Sequence, residues 1–527
     1  MKRLISVVTF LIVAAGSAAG GSVLAPYRPS SSDPWDQDKA AHLMRRVGFG
    51  ADSKTLEQMV ARGYEASIIP LVDYSSVSNQ ALDNTLRQSD FDLGNRADIK
   101  AWWMIRMVET KRPLEEKMVL FWHSHFATSM QKVKVGELMV RQNELFRRLG
   151  SGDFAKLLLE ASKDPAMIQW LDNAQNRKGK PNENYARELM ELFTTGIGHY
   201  TEQDIKEAAR AFTGWQATFE EFAFNPMQHD FDEKTFMGQR GPWNGGDIVR
   251  VLADHPATAR RISQKLFEYF AYSNPDAAIV DELARLYQSS GRNIGKLVET
   301  ILRSNAFYSA QARQAQIKSP VEYVVGTSRS MNVPMSRATA RILALATAQM
   351  GQDIFEPPTV KGWDGGAAWI NTATLLVRHN FVERLSDVDR LPFWETLAER
   401  LKERLKGSAD PDRVVAVLVA ELIQAPVDEK SRAGLVGWLK SPEAQKAPLP
   451  AATGGPGPVA PLREAPTPMM ESEESMRPGR GGRIDFERVM RRQVSGRIVN
   501  DWPAGLKFEQ VQKLVSLVLA LPAYQLN

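Results

Sequence analysis

The chain has 527 residues, 43% hydrophobic and 24% charged, with a formal charge of +4. These values fit an ordinary globular protein with a large core, and the near-neutral balance gives no basis for binding nucleic acid or an anionic membrane surface. Cysteine is absent, which excludes a disulfide framework and thiolate chemistry and leaves His, carboxylate and carbonyl groups as available metal ligands.

Lys2 and Arg3 precede an apolar run at 4–15, followed by the small residues of 16–21. That is the order of a secretory signal peptide. Cleavage after Ala19 fits best, because cleavage after Ala25 would put Pro26 beside the scissile bond. The run is short for a membrane span, so a retained anchor is the poorer reading. Without Lys2 and Arg3 the chain has 64 basic and 62 acidic residues, near +2. No later stretch has the length and apolarity of a transmembrane helix. The expected address is therefore export to the periplasm or the extracellular space, with no integral span after cleavage.

Residues 20–34 read as a polar lead-in. Apolar periodicity then predicts helices at 35–47, 53–62 and 65–72, punctuated by Gly48, Gly50 and Gly63. Residues 74–95 read as irregular. A helix at 98–110 carries Trp102, Trp103, Ile105, Met107 and Val108, and Pro113 opens the next, with Glu115 and Glu116 in its first turn. Further helices are expected at 134–149, 153–162, 202–213, 247–271, 276–290, 293–303, after Pro320, and at 335–349. Strand signals are scarce, so the fold class is mainly α, a multi-helix globular domain. Residues 447–482 turn Pro/Gly-rich and then charged, the composition of a disordered linker or insertion. The layout is a signal peptide at 1–19, a helical domain at 35–446, a disordered segment at 447–483, and a helical segment at 484–527 that docks on the main domain.

The most strongly specified stretch runs from Asn182 to Trp215. It reads as two helices joined by a turn, with Gly196 and Gly198 ending the first. Thr201 caps the second with Asp204 in a capping box, and Tyr200 and Ile205 form a hydrophobic staple. On the first helix Asn184, Glu188 and Glu191 fall at i, i+4 and i+7, beside Arg187. A solvated face with an Arg187–Glu191 pair is the commoner reading of such a stripe.

Of seven histidines, two fall in FWHSHF as His123 and His125. His-x-His is a metal-ligand spacing, but on a continuous helix the two side chains point about 200° apart. Both can reach one metal only if the helix ends near His123. Otherwise one packs in an aromatic cluster and the other faces outward. A second polar stretch either offers His229, Asp230 and Asp232 as short-range candidate ligands, with Lys234 as an anion contact, or is a solvated polar loop. A third, at 351–380, contains Gly-Trp-Asp-Gly-Gly at 362–366. There the tryptophans serve either as a stacking platform for a sugar or other flat ligand or, more commonly, as core plugs under a loop. Phosphate-loop, dinucleotide, HExxH, covalent-haem and GxSxG signatures are absent.

Segments in one order resemble the bacterial family catalogued as domain of unknown function 1800. They are AHLMRRVGFG (41–50), KMVLFWHSHFATS (117–129), LDNAQNRKGKPNENYARELMELFTTG (171–196), YTEQDIKEAARAFTGW (200–215), HDFDEKTFMG (229–238), LADHPATARRISQKLFEYF (252–270), KSPVEYVV (318–325) and VKGWDGGAAWINTATLLVRHNF (360–381). The resemblance spans about 36–390, with an echo in the closing ALPAYQL; the Pro-rich insert lies outside it. It implies an exported, mainly helical protein, carries no activity with it, and by analogy points to an exported phosphatase/sulfatase-like partner. Asn182, Asn184, Glu188, His123, His125, His229, Asp230 and Lys234 all lie in the resembling segments, which favours a shared polar site.

The leading expectation is thus a metal-dependent hydrolase. His123, His125, His229 and Asp230 would hold a divalent zinc, manganese or iron, and Glu188, Glu191 and Lys234 would act on the substrate. Asn182, Asn184 and Arg187 would line the site. The alternative is a non-catalytic exported scaffold in which the same residues form a packing network.

Overall fold

The computed structural model describes residues 22–218, 221–441, 486–491, 494, 496, 497, 499 and 501–527. The expected signal peptide and the expected disordered segment lie outside these residues. The described chain is mainly helical, with two small antiparallel ribbons, Trp215–Ala217 with Phe222–Phe224 and Lys234–Phe236 with Gln239–Gly241. None of its helices is long and apolar enough to cross a membrane.

Local sequence accounts for most helix boundaries. Side chains of Asp36, Asp52, Asn95, Asp153, Asn293 and Asn371 accept backbone N–H bonds at helix starts, supplying partners that a first turn lacks. Thr201 and Asp204 make the reciprocal capping box ahead of Glu202–Ala211. Two expectations need correction. Residues 247–271 are two helices, Gly245–Asp254 and Pro256–Phe270. Pro256 disfavours helical geometry in the residue before it; His255 is extended and caps the second helix through Nδ1, which accepts from Ala257 N at 3.1 Å. The stretch at 74–95 contains a helix, Gln80–Gln88. It is polar overall and buries only Leu86, which leaves few apolar side chains to mark it, and an Asp83–Arg106 ion pair at 2.7 Å ties it to the body.

The core centres on a few helices buried on nearly every side, while others, such as Ile294–Arg303, bury one stripe against them. Pro113–His125 is buried along its length except at Ser124. Helix Arg96–Glu109 packs on Arg337–Gln349 and on Pro320–Ser330, and Pro256–Phe270 packs on Ala277–Ser289. The wholly buried helices carry buried charge. Lys117 donates to Glu322, joining Pro113–His125 to Pro320–Ser330. Arg147 donates to both oxygens of Glu116 at 2.7 and 2.9 Å, and Trp103 Nε1 adds a third bond at 3.0 Å. Buried charges are tolerated when paired and hydrogen-bonded in this way. Towards the C-terminus, Phe508–Leu519 packs on Thr372–Ser386, Pro411–Leu422 and Glu429–Lys440.

Candidate functional site

The last turn of Pro113–His125 organises the site. His123 is fully buried, and its Nε2 accepts the N–H of Phe355 at 3.0 Å. The ring proton is therefore on Nδ1 and the imidazole is neutral; burial holds its pKa down at about 3. Its ring meets Trp103, Phe355 and Trp363 at centroid distances of 5.2, 5.3 and 5.6 Å. Phe355 itself sits at φ 63°, an unfavourable conformation for a bulky residue. The His123 bond on one side and Met130 N, donating to Phe355 O at 2.9 Å, on the other hold it there. Seven residues on, Gly362 adopts φ +88°, and a Cβ there would lie 2.5 Å from Ser124 O. Only glycine lets the Gly-Trp-Asp-Gly-Gly run lie against the helix end.

These two fastenings place half-buried Trp363 and buried Trp369 over a cleft of about 440 Å³. Its other walls come from Pro113–His125, from Tyr269 on Pro256–Phe270, and from the start of Pro320–Ser330. Gln352 Oε1 accepts Val321 N at 3.0 Å, which leaves its amide N–H groups for the cleft. Among the described residues, Ser124 and Ser273 hydroxyls on the lining have no hydrogen-bond partner. Glu322 also lines the cleft, but its carboxylate is engaged by Lys117 and by Ser319 N at 2.8 Å. Burial opposes its ionisation, yet these partners outweigh burial and hold the carboxyl below its usual range. The lining thus offers two indoles, a phenol ring and unspent amide and hydroxyl groups.

Beside the cleft, His125 faces the opposite way from His123. Its Nε2 lies 3.1 Å from Phe193 O and its Nδ1 lies 3.1 Å from Lys265 Nζ. A carbonyl only accepts, so Nε2 carries the proton and Nδ1 presents a lone pair to the ammonium. Burial, then Lys265, pushes the His125 pKa well down. Burial and Arg261 bring Lys265 to about 8, against the pull of Glu268. Phe193 ends a π-helical turn, Leu189–Phe193, that follows the short helix Asn184–Glu188. The single regular helix expected here is not formed. The wider π turn leaves carbonyls open, and hydroxyls of Thr194 and Thr195 bond those of Leu189 and Met190 at 2.6 and 3.1 Å.

The other residues singled out from sequence are dispersed. The helix does not end near His123; it continues through His125, so its 100° advance turns the two rings apart. His229, Asp230 and Lys234 share a separate knot. His229 Nδ1 lies 2.7 Å from Thr213 O, Asp230 pairs with Arg210 Nε at 2.8 Å, and Lys234 Nζ donates to Asp230 O and Asp232 O at 2.6 and 2.9 Å. Burial opposes ionisation of Asp230, but Arg210 keeps its carboxyl below the ordinary range. Asn182 and Asn184 tie their loop to Asp172 O and Leu171 O at 3.3 and 3.2 Å. Arg187 grips Glu202 through both guanidinium nitrogens at 2.9 and 2.8 Å and also reaches Glu183, in place of the expected Glu191. Glu188 is shifted up by burial and by Glu191, which accepts Tyr200 Oη at 3.3 Å. Among the described residues no group of three or more His, Asp or Glu side chains is arranged to hold a metal ion. The four expected ligands each have their own protein partners instead.

Sequence reasoning missed Lys117, Glu322, Lys265 and Gln352. One signal was available for Lys117: a lysine inside the apolar run LEEKMVLFW occupies a core position and requires a buried partner. A family model described as Protein of unknown function (DUF1800) matches residues 42–526. No curated protein and no solved structure matches the chain.

Proposed function

The chain belongs to the family described as Protein of unknown function (DUF1800), and from that premise we propose that it is an exported binding protein whose cleft takes a sugar-like ring. The observation that carries this reading is the convergence of FWHSHF, KSPVEYVV and the Gly-Trp-Asp-Gly-Gly run on one cleft with aromatic walls and unspent polar groups. Its volume of about 440 Å³ falls in the range of small-molecule sites, roughly 300–1,000 Å³. A sugar presents C–H groups on one face and hydroxyls at its edge. Trp363 and Trp369 suit the first, and Gln352, Ser124 and Ser273 suit the second. Ligand binding fits better than the metal-dependent hydrolase, because His123, His125, His229 and Asp230 are spent on protein partners in three separate places.

The test is titration of the purified mature protein with soluble neutral, acidic and amino-sugar oligosaccharides, followed by calorimetry and indole fluorescence. At least one class should bind saturably, and Trp363→Ala and Gln352→Ala should each weaken it by tenfold or more, about 1.4 kcal/mol. No saturable response from any class with folded protein sinks the reading. Export rests on the n-, h- and cleavage-region order at 1–19. Protein sequencing of the periplasmic form should find Gly20 at the N-terminus.

A further inference from the structure

We infer that Arg261 and Lys265 form an oxyanion-binding site at the seam between Pro113–His125 and Pro256–Phe270, facing the Leu189–Phe193 turn. The two cations lie one helical turn apart on one face, both partly withdrawn from water. Among the described residues neither pairs with a carboxylate. Arg261 makes one long bond, to Leu192 O at 3.4 Å, and its Nε is buried with no acceptor. Lys265 has three protons and spends one on His125 Nδ1. That imidazole is locked as a neutral acceptor by Phe193 O, so it orients the ammonium without neutralising it.

The acidic groups nearby are committed elsewhere or held off. Glu268 accepts from Gln264 Nε2 at 3.0 Å and from Asn274 N at 3.3 Å. Glu191, whose charge acts on Arg261, accepts the Tyr200 hydroxyl at 3.3 Å and forms no ion pair with the guanidinium. Gly196 sits at φ +82°, and a Cβ on it would come within 2.9 Å of Arg261 Nη1. A glycine there brings no side chain against the fork. Burial lowers the pKa of both cations; Arg261 lowers that of Lys265 further, against the pull of Glu268, while Glu191 and Tyr200 pull that of Arg261 back up. A planar fork beside an ammonium matches the oxygens of a phosphate, sulfate or carboxylate. This site does not depend on the sugar reading of the neighbouring cleft.

The experiment uses the full mature chain and three probes, inorganic phosphate, sulfate and acetate, against chloride at matched ionic strength. Melting temperature and calorimetry are read together with mass-spectrometric mapping of lysine acetylation. At least one oxyanion should raise the melting temperature saturably and protect Lys265 from acetylation, and the probe that does so identifies the class. Arg261→Gln and Lys265→Met should each weaken binding by about tenfold or more, while Lys265→Arg should retain it. No effect beyond chloride in the wild type overturns the proposal, as does an undiminished response in the Arg261→Gln/Lys265→Met double variant. If Lys265→Met fails to fold, wild-type protection of Lys265 and the Lys265→Arg titration decide the matter.

Discussion

A single histidine fixes the geometry of the cleft. His123 gives Phe355 N its acceptor and fills the space between three aromatic rings. His123→Ala leaves that N–H without its partner and opens a void, so a loss of about 3–4 kcal/mol is expected in urea unfolding. Gly362→Ala acts at the second fastening. The new Cβ would press on Ser124 O, and the left-handed backbone is itself unfavourable for alanine, so a cost of about 1–3 kcal/mol and loss of ligand binding should appear together. A variant that melts like wild type and still binds would show that Trp363 does not need this loop path.

Between elements, the buried Lys117–Glu322 pair joins two wholly packed helices. Lys117→Met strands a carboxylate in the core and should cost about 3–5 kcal/mol. Lys117→Met/Glu322→Gln removes the charge yet keeps an oxygen for Ser319 N, so it should recover part of that loss. A double variant no better than the single one would contradict the pairing argument. Helix Glu202–Ala211 depends on its cap, and Thr201→Ala should cost about 1 kcal/mol by the same measurement.

Over the whole molecule, buried titratable groups oppose one another in pH dependence. Burial raises Asp164 to about 7, against the bonds it accepts from Met167 N and Gln142 Nε2. The folded chain therefore holds a proton that the unfolded chain releases near 4. That stabilising contribution is complete below the unfolded value and is lost as pH rises towards 7. His42, His123 and His125 are held neutral by burial and work the other way. Their contribution is full above about 6.5 and is lost as pH falls through that value towards the folded ones. Asp164→Asn removes one arm. Urea unfolding should find it more stable than wild type at pH 8, by at most about 4 kcal/mol, with the gap closing towards pH 4. A gap that widens on acidification would reverse the sign argued here.

Much of the framework was legible in the chain itself. Ser53–Arg62, the capping box at Thr201, the glycines after the Leu189–Phe193 turn and the mainly helical class all follow from neighbours within about four residues, the range over which caps and periodicity act. The break at His255 was in the Pro256 signal but was overridden by a long apolar period. The site was legible in its segments and not in its members. FWHSHF and Gly-Trp-Asp-Gly-Gly do meet, but the residues left open for a ligand are Trp363, Gln352 and Ser124, while His123 is spent as a fastening. Lys117 and Glu322 are 205 positions apart, and Lys265 and His125 are 140. Local sequence determined most of the helices and their caps, because those are decided by short-range backbone chemistry. Only the tertiary structure decided which polar groups are paired and which remain open, because that depends on distances through space between elements far apart in the chain.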